Sequence, residues 1–237
     1  MIRAVVVDNE QNARDELEAL LADHADVAVV GACGNAIQAL RTVRAARPDL
    51  LLVDIHMPKV DGFQLVAMIE PELMPCVVFV TAHDEYALKA FEENAVDYLL
   101  KPVAPERLAR MLDKVRRYLG EGTRPAYQSP AIDRIPCVCS QGIRLVQACD
   151  VECVQSGDTG VHLVTAQGQF LTELTLATLE ARVPRLTRCH KQFLVNLDHV
   201  DLVGRPDPAT VVLSTRSGRQ VPVSRRYLAG LKERLGI

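Results

Sequence analysis

Polar side chains follow four short apolar runs in the first half of the chain. They are Asp8, Asp54, Thr81 and Lys101, with Glu10 close behind the first. In an open α/β sheet the carboxyl ends of parallel strands meet at one edge, where ligands bind. Carboxylates crowded there repel one another unless a cation neutralises them, and an oxygen donor set without thiolates favours Mg²⁺. The sequence therefore predicts a magnesium site at this edge.

Asp54 is the candidate for covalent chemistry at that edge. A carboxylate beside Mg²⁺, with the hydroxyl of Thr81 and the ammonium of Lys101 within reach, can attack a phosphoryl donor to give an aspartyl-phosphate. A single Asp at a strand end is most often a helix cap or a turn former. Caps do not need a Lys and a Thr at neighbouring strand ends, so the combination favours phosphoryl chemistry.

The elements that must position these side chains follow from the periodicity of the apolar residues. Short β-branched runs alternate with helical spacing, which is typical of a parallel sheet with helices on both faces. The predicted strands cover residues 4–7, 27–30, 50–53, 77–80 and 96–100. Pro105 stands in the first turn of the last predicted helix. The first half is therefore predicted to be a doubly wound, five-stranded α/β sheet with five helices.

The motifs that carry these residues resemble the receiver domain of two-component response regulators. They are Val5-Val6-Val7-Asp8, Val53-Asp54-Ile55-His56-Met57-Pro58 with Asp61-Gly62, Val80-Thr81-Ala82, and Asp97-Tyr98-Leu99-Leu100-Lys101-Pro102. The resemblance covers residues 1–118 and implies a CheY-like fold.

That resemblance also implies roles for individual residues. Asp54 would accept phosphate from a histidine kinase, and Asp8, its acidic neighbour and the backbone carbonyl of His56 would complete the Mg²⁺ site. Thr81 and Tyr98 would form a switch pair, and Lys101 would pair with the phosphoryl group. The Lys101-Pro102 bond resembles a cis peptide of this family.

Asn9 departs from the receiver pattern, which usually has a second acidic residue at this position. An amide oxygen can ligate Mg²⁺ but brings no charge, so the set Asp8, Asn9, Asp54 and His56 is expected to bind the metal more weakly.

The second half of the chain changes from helical to alternating periodicity. Residues 120–130 fit neither pattern and read as a linker. The predicted organisation is a receiver domain over 1–118, a linker over 119–132 and a second domain over 133–237. Frequent turn signals predict a mostly β module, with helical patches near Leu176–Val183 and Leu228–Leu235.

Charge is distributed unevenly between the halves. Residues 1–118 carry 13 basic and 19 acidic side chains, whereas residues 181–237 carry 11 and 4. The amino-acid sequence contains no helix-turn-helix pattern and no zinc-finger spacing. Basic residues at turns and element ends can bind phosphates and base edges, which predicts a nucleic-acid interface.

The segments 188–196 and 223–227 resemble the LytTR DNA-binding domain, and the wider sequence is similar to the YehT/BtsR branch of those regulators. The resemblance implies double-stranded DNA as a partner, bound through loops that enter successive major grooves. It places Lys191 and Arg226 at base edges, with a third contact from His162 or Thr159. The full predicted DNA-binding set is Arg188, His190, Lys191, Arg225, Arg226 and His162. His190 has an equally good interpretation as a structural histidine.

The seven cysteines and the hydropathy bear on location. An odd count of Cys fits reduced thiols, and Cys137-x-Cys139 with Cys149-x₃-Cys153 fits core packing better than zinc. No apolar run reaches the roughly 20 residues of a membrane helix. A cytoplasmic protein without a membrane span is expected.

Together these features predict a phosphorylation-switched transcription regulator. Phosphate on Asp54 would attract Thr81, let Tyr98 rotate inward, and alter a dimerisation face formed by residues 85–94 and strand five. Two linked DNA-binding modules would then bind direct repeats with higher affinity.

Three alternatives stay open at this point. An aspartate-nucleophile phosphatase would need a second carboxylate where the chain has His56. A flavin site would need a phosphate cradle where the first loop is acidic. Finally, the second domain could bind protein or RNA instead of DNA.

Overall fold

The chain is described here by a computed structural model. The structure describes residues 1–83, 86, 90, 94–122, 131–140, 142–207 and 210–236. The chain forms two compact units, Met1–Pro130 and Ala131–Ile237.

The first unit is the predicted parallel sheet. Its strands are β1 (Ile2–Val7), β2 (Val27–Cys33), β3 (Leu50–Val53), β4 (Cys76–Thr81) and β5 (Asp97–Leu100). They are all parallel, in the order β2-β1-β3-β4-β5. The described helices are α1 (Gln11–Ala22), α2 (Ala36–Ala46), α3 (Gly62–Ala67) and α4 (Pro105–Gly120), with a 3₁₀ turn over Pro71–Leu73.

Local sequence explains where these helices begin. The side chain of Asn35 accepts from the amide of Gln38 and caps α2. Asp61 and Gln64 form a reciprocal capping box at α3, and Pro105 occupies the first turn of α4. The helix predicted over residues 85–94 falls largely outside the described residues. Helix α4 extends to Gly120, and residues 123–130 of the predicted linker also lie outside them.

The core of the first unit lies on both faces of the sheet. Every residue of β3 and β4 is buried, as expected for central parallel strands covered by helices. Helix α4 contributes an apolar stripe to this core, since Leu108, Met111, Leu112 and Val115 are all buried. The polar residues at the carboxyl ends of β1, β3, β4 and β5 are thereby brought to one edge.

The second unit is mostly β, as predicted. A seven-stranded antiparallel sheet has the order β11-β12-β8-β9-β10-β6-β7, and a three-stranded sheet has the order β13-β14-β15. The strands are β6 (Arg134–Cys139), β7 (Gly142–Gln147), β8 (Val151–Gly157), β9 (Gly160–Thr165), β10 (Gly168–Thr172), β11 (Leu186–His190), β12 (Phe193–Asn196), β13 (Val200–Asp207), β14 (Thr210–Thr215) and β15 (Gln220–Val223). The 3₁₀ turns are Ala148–Asp150 and Leu197–His199.

Two helices accompany these sheets, near the two helical patches of the sequence. They are α5 (Leu176–Arg182) and α6 (Arg225–Leu235). One core of this unit joins Cys153 and Cys189 of the large sheet to Val221 of β15 and Leu231 of α6. All seven cysteines are free thiols, and five of them are buried. No described helix has the length and apolar character needed to cross a membrane.

Candidate functional site

Asp8, Asp54 and Lys101 meet at the carboxyl edge of the parallel sheet. Nζ of Lys101 lies 2.6 Å from Oδ2 of Asp8 and 3.4 Å from Oδ1 of Asp54. Asp8 is 1% and Asp54 5% exposed. The Lys101-Pro102 bond is cis, as the receiver resemblance implied. The cleft predicted from the strand ends is therefore present.

The charges in this cleft are strongly coupled. Burial raises the pKa of Asp54, the attraction of Lys101 opposes this rise, and the negative charge of Asp8 adds to it. Burial disfavours the Lys101 ammonium, but its hydrogen bond to Asp8 and the attraction of Asp54 outweigh burial and raise its pKa. The ammonium therefore stays charged and compensates two carboxylates that share one pocket.

Thr81 ends β4 beside this cleft with its side chain fully buried. Its hydroxyl has no hydrogen-bond partner among the described residues. A buried hydroxyl without a partner is unfavourable. Such a group is suited to donate to an oxygen that arrives with a phosphoryl group.

Gly62 allows the chain to fold closely around the backbone of Asp54. A Cβ atom at Gly62 would lie 2.4 Å from the carbonyl oxygen of Asp54, and 3.0 Å from Cα of Ile55. The amide of Gly62 donates to the carbonyl of Ile55 at 2.9 Å. Only glycine fits here, so the loop that follows Asp54 is held against the strand end.

Tyr98 is buried, and its hydroxyl donates to the backbone carbonyl of His83. Its movement on phosphorylation stays a prediction. The ring of His83 packs against that of His56, with centroids 4.3 Å apart. The loops after Asp54 and Thr81 therefore touch through these two imidazoles.

The donor groups of the cleft suit Mg²⁺. The two buried carboxylates, Asp8 and Asp54, supply oxygen ligands, and Mg²⁺ commonly binds proteins through one or two carboxylates while it keeps several waters. Within the described ranges, no three His, Cys, Asp or Glu side chains are placed to hold a metal together. Asn9 is exposed directly after Asp8. The chemistry of Asp8 and Asp54 therefore fits a Mg²⁺ site.

Three segments of the second unit converge at one end of its large sheet. The amide of Ser224, just before α6, donates to the carbonyl of Cys189 at 2.9 Å, and the amide of Ser156 donates to the carbonyl of Gln192 at 2.8 Å. These bonds join the start of α6, the β11–β12 turn and the β8–β9 hairpin. The exposed Lys191, Arg225 and Arg226 belong to two of these segments.

The other predicted DNA-binding residues are placed differently. His162 lies on β9 opposite Gln155 of β8. Nδ1 of His190 accepts from the amide of Gln192 at 3.2 Å, which supports its structural interpretation. Nε of Arg188, on β11, lies 3.4 Å from a carboxylate oxygen of Glu180 on α5.

Sequence reasoning missed two arginines near these sites. The guanidinium of Arg14 donates to the backbone carbonyl of Asp8, and that of Arg219 donates to Oε1 of Gln155 at 3.1 Å. Neither contact leaves a local motif in the sequence, although Arg14 lies one helical turn into α1, close to Asp8.

Comparison with known proteins agrees with both units. Residues 4–113 match the family model of the response regulator receiver domain, and residues 141–236 match that of the LytTr DNA-binding domain. The transcriptional regulatory protein BtsR of Salmonella typhi is 45% identical over 241 aligned positions that cover 100% of both chains. This chain belongs to the LytTR-type response regulators.

One further curated relative and one solved structure are also similar to this chain. An uncharacterized response regulatory protein of Vibrio cholerae is 43% identical and is covered to 99%, with 100% of this chain aligned. The crystal structure of the response regulatory domain of MrkE from Klebsiella pneumoniae is 30% identical and aligns to 51% of this chain and 99% of its own, with a TM-score of 0.46.

Membership in this family decides between the broad alternatives. The chain is a transcriptional regulator that combines a receiver with a DNA-binding domain. The relatives are regulators and not enzymes, so the phosphatase and flavin-site interpretations are set aside.

Proposed function

We propose that this LytTR-type response regulator accepts a phosphoryl group on Asp54 from a histidine kinase, dimerises and binds promoter DNA. The observation that carries the proposal is the buried Asp54 carboxylate 3.4 Å from the Lys101 ammonium, together with the buried Thr81 hydroxyl, which has no hydrogen-bond partner among the described residues. The proposed organisation is a receiver over 1–118, a linker over 119–132 and a DNA-binding domain over 133–237. We also propose that its partners are a sensor histidine kinase and double-stranded DNA, and that it is located in the cytoplasm.

Phosphoryl transfer would proceed by direct attack of Asp54. One carboxylate oxygen of Asp54 forms a bond to phosphorus while the bond from phosphorus to the donor breaks, and the donor leaves with that electron pair. Lys101 would neutralise charge on a phosphoryl oxygen. The hydroxyl of Thr81 would donate to a second oxygen.

Asp8, Asp54, the amide oxygen of Asn9 and the backbone carbonyl of His56 would hold Mg²⁺. When bound, Mg²⁺ supplies charge neutralisation for the phosphoryl oxygens. Because Asn9 adds no negative charge, we expect weaker metal binding than an acidic residue would give.

The switch would run from Asp54 through Thr81 to Tyr98 and the face of β5. Tyr98 belongs to β5, the edge strand of the parallel sheet, and its neighbour Leu100 is 48% exposed. We propose that phosphorylation strengthens dimerisation through this face and the adjoining residues 85–94.

DNA binding would use the three converging segments of the second unit. Lys191 in the β11–β12 turn and Arg226 at the start of α6 are proposed to read base edges, with His162 or Thr159 as the third contact. Arg225 is proposed to bind phosphate. The exposed positive charges on segments held together by the Ser224 and Ser156 hydrogen bonds support this assignment.

Phosphorylation is tested by incubating the full chain with a small acyl phosphate and Mg²⁺, followed by intact-mass measurement. The wild type and Asp61→Asn are expected to gain one phosphoryl group, since Asn also caps a helix, and Asp54→Asn is expected to gain none. Equal modification of Asp54→Asn would place the acceptor elsewhere.

DNA recognition is tested by selecting duplexes from a random-sequence pool with the full chain. Lys191→Ala should relax base preference at defined positions, whereas Arg225→Ala should lower the slope of binding against salt by about one. Lys232→Ala, on the body of α6, is the matched control. Failure of the wild type to enrich any sequence would contradict the proposal.

A further inference from the structure

The turn between β14 and β15 is fastened to the large sheet by an arginine. Nη2 of Arg219 donates to Oε1 of Gln155 on β8 at 3.1 Å. In the amide orientation that satisfies both groups, the oxygen of Gln169 on β10 accepts from Nη1 at 2.9 Å and from Nη2 at 3.2 Å. The guanidinium therefore links β8 to β10 across the intervening β9.

A buried acid fastens the same turn from the other side. Glu152 of β8 is 3% exposed, and its carboxylate accepts from the hydroxyls of Thr215 and Ser217. The turn is thus held at Thr215, Ser217 and Arg219. Since hydrogen bonds to charged groups are stronger than neutral ones, this end of β15 has a fixed position on the large sheet.

Strand β15 carries that position to the proposed DNA-binding segment. It packs on β11 and β12, and its residue Val221 is fully buried. Its far end is fixed by the bond from the Ser224 amide to the Cys189 carbonyl. Four residues of strand span about 13 Å, so β15 is a short strand whose two ends are both held by hydrogen bonds.

The two ends of β15 lie next to different elements that are proposed to contact DNA. Gln155, at the Arg219 end, lies directly opposite His162 in the β8–β9 ladder. Arg225 and Arg226 follow at the other end. β15 and its anchors therefore connect the His162 region to the start of α6, in addition to the Ser156 and Ser224 hydrogen bonds.

We infer that Arg219 is a positioning residue for DNA recognition, which fixes the spacing between the His162 segment and Arg225-Arg226 through its fork to Gln155 and Gln169. The inference rests on the proposed DNA-binding function and adds a residue that sets specificity without reading a base. A fixed spacing between these segments raises the affinity for DNA sequences whose contact points match the spacing. It has little effect on the affinity for non-specific DNA.

The test uses the full chain with Arg219→Lys, which keeps the charge but cannot form the planar fork to two amides. Arg216→Lys, exposed on the same turn, is the matched control. The probes are duplexes selected by the wild type from a random pool, and scrambled duplexes of equal length. We expect the dissociation constant for scrambled duplexes, divided by that for selected duplexes, to fall about tenfold in Arg219→Lys and to stay unchanged in Arg216→Lys.

A second measurement detects loosening of β15 in the absence of DNA. Amide exchange at Ser224 should accelerate in Arg219→Lys and not in Arg216→Lys, at a temperature where circular dichroism shows each variant folded. Gln169→Leu should reproduce the loss, and Arg219→Lys combined with Gln169→Leu should lose no more than either alone.

The outcomes separate this inference from the function on which it rests. A wild-type ratio and wild-type Ser224 exchange in Arg219→Lys overturn the inference while DNA recognition stands. If Arg219→Gln weakens selected and scrambled duplexes equally and lowers the salt slope by about one, Arg219 is a phosphate contact and the positioning role is wrong. If the wild type enriches no sequence, the proposed function and this inference fall together.

Discussion

The ammonium of Lys101 lies closer to Asp8 than to the proposed phosphoacceptor, with Nζ 2.6 Å from Oδ2 of Asp8. Its distance to Oδ1 of Asp54 is 3.4 Å. The lysine therefore balances both carboxylates before phosphorylation, and its weaker contact is the one that a phosphoryl group would replace.

Replacing Lys101 by Met should destabilise the first unit and increase its dependence on Mg²⁺. Removing one partner from a buried ion pair leaves uncompensated charge, so the free energy of unfolding should fall by about 3 kcal/mol. Hydrogen exchange of β3 amides reports this unit alone. Added Mg²⁺ should restore more stability in Lys101→Met than in wild type. Lys59→Met, an exposed lysine in the loop after Asp54, is the control, and equal Mg²⁺ effects in both variants would refute the charge argument.

Asn9→Asp should tighten Mg²⁺ binding. A third carboxylate next to Asp8 adds Coulombic attraction for a divalent cation, which predicts about a tenfold lower dissociation constant by titration calorimetry. Gln11→Glu adds the same charge on α1 and should change the constant less. Unchanged affinity in Asn9→Asp would show that residue 9 does not face the metal.

Gly62→Ala should disrupt the loop after Asp54. The added methyl would lie 2.4 Å from the carbonyl oxygen of Asp54, so we expect a loss of about 2 kcal/mol in stability and slower phosphorylation. Gly230→Ala is the matched control because nothing lies within 4 Å of the added carbon on α6. That change should stabilise its helix by up to about 1 kcal/mol. A harmless Gly62→Ala would mean that the loop is not held as described.

Thr81→Val should separate stability from switching. The hydroxyl has no partner to lose among the described residues, so the free energy of unfolding should stay the same or rise by up to about 1 kcal/mol. The response of DNA affinity to phosphorylation should be lost. Thr172→Val removes a buried hydroxyl bonded to the carbonyl of Pro136 at 2.8 Å and should cost about 1–3 kcal/mol. Destabilisation by Thr81→Val with a normal phosphorylation response would contradict this role.

Much of the first unit was predictable because its chemistry is tied to strand ends. Apolar runs located β1, β3, β4 and β5, and the geometry of parallel sheets then required their polar successors to share an edge. The preference of Lys101 for Asp8 was not predictable, because the two residues are 93 positions apart and periodicity reports burial and not side-chain contacts.

The second unit shows the same division more clearly. Alternation and turn residues identified strands, and the positive charge of residues 181–237 indicated an anionic partner. Arg188 looked equivalent to its basic neighbours, yet its side chain turns to Glu180 of α5. Arg219 had no distinguishing sequence context, because its partners Gln155 and Gln169 come from other strands.

The most direct measurement compares the affinity of the full chain for its selected duplexes with and without a small acyl phosphate and Mg²⁺. Because dimerisation links two DNA-binding modules, we predict that phosphorylation raises the DNA affinity of the wild type by about tenfold or more. The affinity of Asp54→Ala should not change. Identical binding curves for the phosphorylated and unphosphorylated wild type would contradict the switch.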